Sequence, residues 1–95
     1  MKSTTPQDIE DNLNSAGYSL MKANRLSDAI SIFKLNVRLF PKSWNVYDSL
    51  GEAYANEGNK KLAIDNYTMS VKLNPKNDDG IKALEKLKAQ FYLTH

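Results

Sequence analysis

Residues 10–43 of this 95-residue chain align with residues 44–77 without a gap, so the same pattern returns after 34 residues. The positions that keep their residue are mostly small, apolar or helix-ending. They pair Ser15 with Ser49, Gly17 with Gly51, Ala29 with Ala63, Ile30 with Ile64, Val37 with Val71, Leu39 with Leu73, Pro41 with Pro75 and Lys42 with Lys76. A fixed period of this length is typical of repeat proteins, in which one unit stacks on the next because neither buries its apolar face alone. The repeat therefore predicts a shared packing geometry and indicates little about a ligand.

Residues 7–77 resemble the tetratricopeptide repeat, a helix–turn–helix unit of the same length. The matching residues are Gly17, Ala29, Phe33 and Pro41 in the first repeat and Gly51, Tyr54, Ala63, Tyr67 and Pro75 in the second. The first repeat departs from the family at Asn36, where a small residue is usual. The resemblance implies an all-α fold, a right-handed α-α superhelix made of two helical hairpins and a capping helix.

Local signals predict five helices within a single domain. We expect the domain to span residues 1–95, with repeat one at about 10–43, repeat two at about 44–77 and the capping helix at about 78–94. Thr5, followed by a proline and then by an acid at the third helical position, is a capping-box pattern. Asn24 and Gly58 tolerate the left-handed conformation that closes a helix. Asn77 is placed to cap the fifth helix, whose apolar residues would cover the last repeat.

Gly17 and Gly51 lie inside predicted helices, where glycine costs about 1 kcal/mol relative to alanine. We expect these glycines to let the backbone of the partner helix come near, with an aromatic side chain filling the space beside it. The aromatic residues predicted to lie in the core are Phe33, Tyr47, Tyr54 and Tyr67. Two interpretations remain for Trp44, which either packs at the junction between repeats or stands exposed as an anchor for a partner.

The charge of the chain is small and evenly spread. Lysine and arginine total 13 against 11 acids, which gives a net charge of +2. Residues 1–48 carry six basic and five acidic groups, and residues 49–95 carry seven and six. The chain has no block of basic residues of the kind that would predict binding to nucleic acid or anionic lipid. It also has no apolar run that approaches the ~20 residues needed to span a bilayer. No cysteine is present, so the compartment stays open between cytoplasm and periplasm.

The chain lacks the residues of the common catalytic and metal sites. Its one histidine is His95, on an end that we expect to fray, so no serine has a base to activate it. Asp78 and Asp79 are better explained as acids at a helix start than as paired catalytic carboxylates. Gly51 has no glycine partners at nucleotide-binding spacing, and metal ligands are missing. We therefore predict no catalytic residue, no metal, no cofactor and no enzymatic activity.

The family resemblance implies a concave groove lined by the first helix of each repeat. Carried over by helical phase, the partner-binding residues are Asn14, Tyr18, Asn45, Asp48 and Glu52, with Asp11, Lys82 and Lys86 on the same face. The cationic clamp that some family members use to hold a carboxylate does not carry over to these positions. We therefore expect a neutral or basic protein or peptide partner, with Tyr18 as the anchor and with Asp48 and Glu52 pointing away from the core. A solvated polar face without a ligand is the alternative.

Two classes of function remain open at this stage. The first is an adaptor or scaffold that binds a partner protein on its concave face. The second is a structural or dimerising C-terminal tail of a larger bacterial enzyme, since residues 29–86 loosely resemble tails of bacterial serine hydrolases; a weak homodimer belongs to this class. RNA binding, as in pentatricopeptide repeats, would need more repeats and more positive charge.

Overall fold

The structure, a computed structural model, describes residues 3–94 and consists there of five α-helices without a strand. The helices are α1 (Pro6–Lys22), α2 (Leu26–Leu39), α3 (Trp44–Glu57), α4 (Lys60–Leu73) and α5 (Asp78–Thr94). The prediction of an all-α chain with five helices is confirmed. None of the helices in the described range is both long enough and apolar enough to cross a membrane.

The capping and turn residues predicted at Thr5, Asn24, Gly58 and Asn77 are confirmed by their contacts and backbone conformations. The Thr5 side chain accepts from the Asp8 backbone N–H, and the Asp8 carboxylate accepts from the Thr5 N–H, which forms the capping box. Asn24 (φ 60°) and Gly58 (φ 87°) both adopt the left-handed conformation in the turn of their hairpin. Asn77 Oδ1 accepts from the backbone N–H of Gly80 in the first turn of α5.

The helices pack in sequence order around one core. α1 packs against α2 and α3 against α4, while α2 also contacts α3 and α5 covers α4. Because the hairpin turns are short, consecutive helices run antiparallel. The buried core contains Ala29, Ile30, Phe33, Leu50, Ala53, Tyr54, Ala63, Tyr67 and Leu87. The contribution of Leu87 shows that α5 covers the open apolar side of the second hairpin, as expected of a capping helix.

The two helical glycines accommodate aromatic rings. A Cβ on Gly17 would overlap the ring of Phe33, and a Cβ on Gly51 would stand 3.0–3.1 Å from the ring of Tyr67. The prediction of close packing at these positions is confirmed, but the nearest group is the aromatic ring and not the partner backbone. Each ring therefore occupies space that a side chain at its glycine would need.

Tyr47 and Trp44 are more exposed than the buried aromatic residues Phe33, Tyr54 and Tyr67. Tyr47 is only half-buried, and its hydroxyl donates to the Pro41 carbonyl at 2.7 Å, so it fastens the junction between the repeats. The prediction that Tyr47 belongs to the core is therefore wrong, because its hydroxyl is satisfied at the surface. Trp44 begins α3 and keeps 37% of its surface exposed.

Candidate partner-binding face

The five residues predicted to bind a partner lie on two neighbouring helices. Asn14 and Tyr18 are one turn apart on α1, and Asn45, Asp48 and Glu52 follow at the same spacing on α3. All five side chains are half-buried. We call this surface the α1–α3 face.

Two hydrogen bonds join α1 to α3 across this face. The Tyr18 hydroxyl donates to Glu52 Oε1 at 3.1 Å, and Ser49 Oγ donates to Asn14 Oδ1 at 2.5 Å. Tyr18 and Glu52 occupy the same position of their repeats, 34 residues apart. The hydrogen bond between them therefore joins equivalent positions of the two repeats. These contacts restrict the side-chain freedom of the polar groups that they join.

Asp48 is tied to the start of α5 through Asn77. The Asn77 amide donates to Asp48 Oδ1 at 3.0 Å and to Ser70 Oγ at 3.0 Å, while its carbonyl oxygen caps Gly80. Asn77 is only 8% exposed, so these bonds form in a site with little water. Asp48 and Glu52, which we expected to point away from the core, are half-buried and accept hydrogen bonds from Asn77 and Tyr18, respectively.

The α1–α3 face carries negative charge at Asp48 and Glu52. Burial raises the pKa of Tyr18 to about 12, and the negative charges of Glu52 and Asp48 act in the same direction. Burial also raises the pKa of Asp48 above its usual value; the Asn77 hydrogen bond opposes this shift, while the nearby charge of Asp79 adds to it. A positively charged group at this face would be favoured by the same charges.

Tyr67, Ser49 and Asn77 also belong to this site. The sequence predicts Tyr67 only as a core residue, Ser49 only as a position of the repeat and Asn77 only as a helix cap. Burial raises the pKa of Tyr67, with further contributions from the charges of Asp48 and Glu52, so its phenol is near the acidic pair. The available signal was the change from Phe33 to Tyr67 at equivalent positions, which adds a hydroxyl to a buried ring.

A groove of about 260 Å³ continues the face towards α5. It is lined by Ala55, Tyr67, Ala83, Lys86, Leu87 and Gln90. Apolar side chains dominate the lining, and Lys86 provides its cation. Of the other residues expected on this face, Asp11 and Lys82 are exposed.

The arrangement is suited to binding. Within the part of the chain that the structure describes, no group of three or more His, Cys, Asp or Glu residues could hold a metal ion. His95, the only histidine, lies outside the described residues. The α1–α3 face and the adjoining groove consist of hydrogen-bonding groups, two carboxylates and apolar side chains.

Part of the chain is similar in sequence to known proteins. No model of a known protein family matches the chain. The chain is 34% identical over 61 residues to human Superkiller complex protein 3 and 34% identical over 59 residues to the mouse protein. These stretches cover 64% and 62% of the chain but only 4% of each relative, so the chain spans a small part of their length.

A solved structure extends the comparison to nearly the whole chain. The crystal structure of the Sgt2 TPR domain from Aspergillus fumigatus superimposes with a TM-score of 0.85 at 20% identity, covering 97% of this chain and 61% of that one. At this identity the likeness concerns the fold. Since the 34-residue period, the glycine–aromatic contacts and the helix order all agree with it, the chain has the tetratricopeptide-repeat fold, an all-α helical-repeat superhelix.

Proposed function

We propose that the chain is a protein-interaction module that binds a neutral or basic segment of a partner protein on the α1–α3 face. The tetratricopeptide-repeat fold supports interaction with proteins in general. The observation that carries the more specific proposal is the half-buried carboxylate pair of Asp48 and Glu52, held in place by Asn77 and Tyr18.

In the described part of the chain, the carboxylates of Asp48 and Glu52 accept hydrogen bonds but form no ion pair. Among the described residues the ion pairs are Arg25–Asp28 and Lys61–Asp65, both at other surfaces. A lysine or arginine of the partner would supply the missing positive charge and form charge-assisted hydrogen bonds. Asn45, half-buried one turn before Ser49, is positioned to bind the backbone of an extended segment.

The neighbouring groove would take an apolar side chain of the same partner. Its lining by Ala55, Ala83 and Leu87 favours an aliphatic or aromatic group. Tyr67 lines this groove, its phenol is near the carboxylates of Asp48 and Glu52, and it combines an apolar ring with a hydroxyl. The partner motif is therefore a basic residue near a large apolar residue.

The experiment is a peptide selection on the immobilised chain, followed by titration of the selected peptides against variants. Glu52→Gln removes one charge but keeps an oxygen that accepts from Tyr18, and Glu57→Gln on the exposed end of α3 is the matched control. We expect selected peptides rich in lysine or arginine, with affinity about tenfold lower for Glu52→Gln and unchanged for Glu57→Gln. Acidic peptides, or equal affinity for both variants, would contradict the proposal.

A second candidate function is a structural or dimerising tail of a larger protein, such as a bacterial serine hydrolase. The exposed end of α5 favours it, because Tyr92 and Leu93 keep 71% and 86% of their surface exposed. Light scattering over a concentration series would test it. Dimers that dissociate on changing both residues to serine would support this candidate, and a monomer at all concentrations would count against it.

A further inference from the structure

A second groove lies between α2 and α4, on the side of α3 opposite to the α1–α3 face. Its volume is about 400 Å³, and α3 contributes Leu50 and Tyr54 to its lining. These residues follow Asp48 and Glu52 by two positions, which at about 100° per residue places them on roughly the opposite side of the helix. We call this surface the α2–α4 groove. Because it lies on the opposite side of α3, a ligand that binds it does not contact the α1–α3 face.

The floor of the α2–α4 groove is apolar and well packed. Leu50 and Tyr54 are 4% and 8% exposed, so the core supports them from below. Val37 from α2 is half-buried, and Leu62 from α4 is 36% exposed. An apolar side chain placed here would cover surface that the fold leaves in contact with water.

Two cations of α2 line the same groove. Lys34 and Arg38 are four residues apart, which places them side by side on one face of the helix, and both are exposed. Neither forms an ion pair with another described residue, because the ion pairs recorded there are Arg25–Asp28 and Lys61–Asp65. Like charges at this spacing repel each other, so they cost the free protein some stability unless an anion joins them.

The repeat frame shows that this charge pair is specific to one position in the molecule. The equivalents of Lys34 and Arg38 in the second repeat are Thr68 and Lys72. Thr68 donates to the Ile64 carbonyl of its own helix and carries no charge. The doubled positive charge therefore occurs where α2 borders the groove and is not a general feature of the second helix of each repeat.

We propose that the α2–α4 groove binds an acidic peptide segment of a partner protein. A large apolar side chain of the peptide lies between Val37, Tyr54 and Leu62, and neighbouring carboxylates pair with Lys34 and Arg38. The charge of this ligand is opposite to that of the ligand proposed for the α1–α3 face. The two faces can consequently hold two different segments at once, so the chain can link partners of opposite charge.

A peptide fits this surface better than a nucleic acid. Two cations neutralise few phosphates, and the whole chain, with these two included, has evenly spread charge and a net charge of only +2. The volume of about 400 Å³ fits one or two side chains against an apolar floor. Carboxylates flanking an apolar group are the chemistry that matches both parts of the lining.

The test is a titration of the intact chain with a fluorescein-labelled synthetic peptide in which glutamates flank a leucine and a phenylalanine. The double variant Lys34→Glu/Arg38→Glu reverses the charge of the groove, and Lys72→Glu, at the position equivalent to Arg38, is the matched control. We expect at least about tenfold weaker binding by the double variant and unchanged binding by Lys72→Glu, with both variants folded by circular dichroism. Amide chemical shifts of Val37 and Leu62 should move on titration of the parent chain.

Several outcomes would overturn the proposal. Equal binding by the parent and the double variant would do so, as would equally tight binding of a peptide with lysines in place of the glutamates. Tighter binding of a single-stranded oligonucleotide than of the acidic peptide would assign the groove to nucleic acid. Failure of the acidic peptide to bind would overturn this proposal without bearing on the α1–α3 face. Asp48 and Glu52 repel an acidic ligand, and binding at that face is measured separately with basic peptides.

Discussion

The two repeats share one frame and differ in what their buried aromatic ring can do. In repeat one Phe33 is fully buried against Gly17, and its ring also meets Tyr18 edge to face at 5.2 Å. In repeat two the equivalent ring is Tyr67, whose phenol is near the carboxylates of Asp48 and Glu52. The same packing position is purely apolar in one unit and part of a polar surface in the other.

The residues before α3 and α5 show a second contrast in the same frame. Ser43 makes no cap hydrogen bond to α3 and donates instead to Glu10 Oε2 at 2.8 Å. Its equivalent, Asn77, caps α5 and also binds Asp48 and Ser70. A repeat therefore preserves the location of a polar residue while the contacts that this residue makes change.

The largest expected effect comes from removing residues 78–95, which leaves repeat two without the neighbour that α5 supplies. Leu87 is buried in the core and Leu84 packs against it. Losing these contacts costs about 3–6 kcal/mol, comparable to the stability of a small domain, so the fragment should unfold or associate. Thermal unfolding followed by circular dichroism measures this. Removal of residues 92–95 alone is the control, and a stable monomeric 1–77 fragment would contradict the capping role.

Asn77→Ala should destabilise the chain by about 2–3 kcal/mol, because it removes a helix cap and leaves buried polar groups unpaired. Asn77→Ser should restore part of the loss, because a serine hydroxyl can also accept from the backbone N–H groups in the first turn of α5. Urea denaturation of the three proteins gives the difference. If the alanine variant were as stable as the parent, the buried hydrogen-bond network would have no energetic role.

Gly17→Ala should cost about 1–2 kcal/mol, whereas Gly51→Ala should be close to neutral. The added Cβ overlaps the fully buried Phe33 ring at the first position but approaches Tyr67 to only 3.0–3.1 Å at the second, where the gain in helix propensity offsets the contact. Melting temperatures of the two variants test the contrast directly. Equal losses would show that both rings are held equally tightly.

The smallest effect at neutral pH is expected for Tyr67→Phe, which makes repeat two resemble repeat one. In the folded parent, burial raises the pKa of Tyr67, and it also raises the pKa of Tyr18, which reaches about 12. Above pH 10 the native state therefore holds more protons than the unfolded state, and stability falls as pH rises. Tyr67→Phe should show a shallower fall in denaturation experiments between pH 10 and pH 12. An unchanged slope would indicate an ordinary environment for this phenol.

The sequence by itself determined the helices, their caps and the repeat frame. These features depend on local chemistry: the hydroxyl of Thr5, the left-handed conformation of Asn24 and Gly58, and the spacing of apolar residues. The glycine–aromatic contacts also followed from the sequence, because a glycine that recurs inside two helices predicts a close neighbour.

Only the tertiary structure decided which polar side chains meet. Tyr18 and Glu52 are 34 residues apart, and Asp48 reaches Asn77 across 29, so their contacts depend on the angle and offset at which helices stack. Helical phase places a residue on a face, but it does not specify the neighbouring helix's side chain at that height. For the same reason the α2–α4 groove could not be predicted from the sequence. Its lining comes from three helices, and its shape is the space that their packing leaves open.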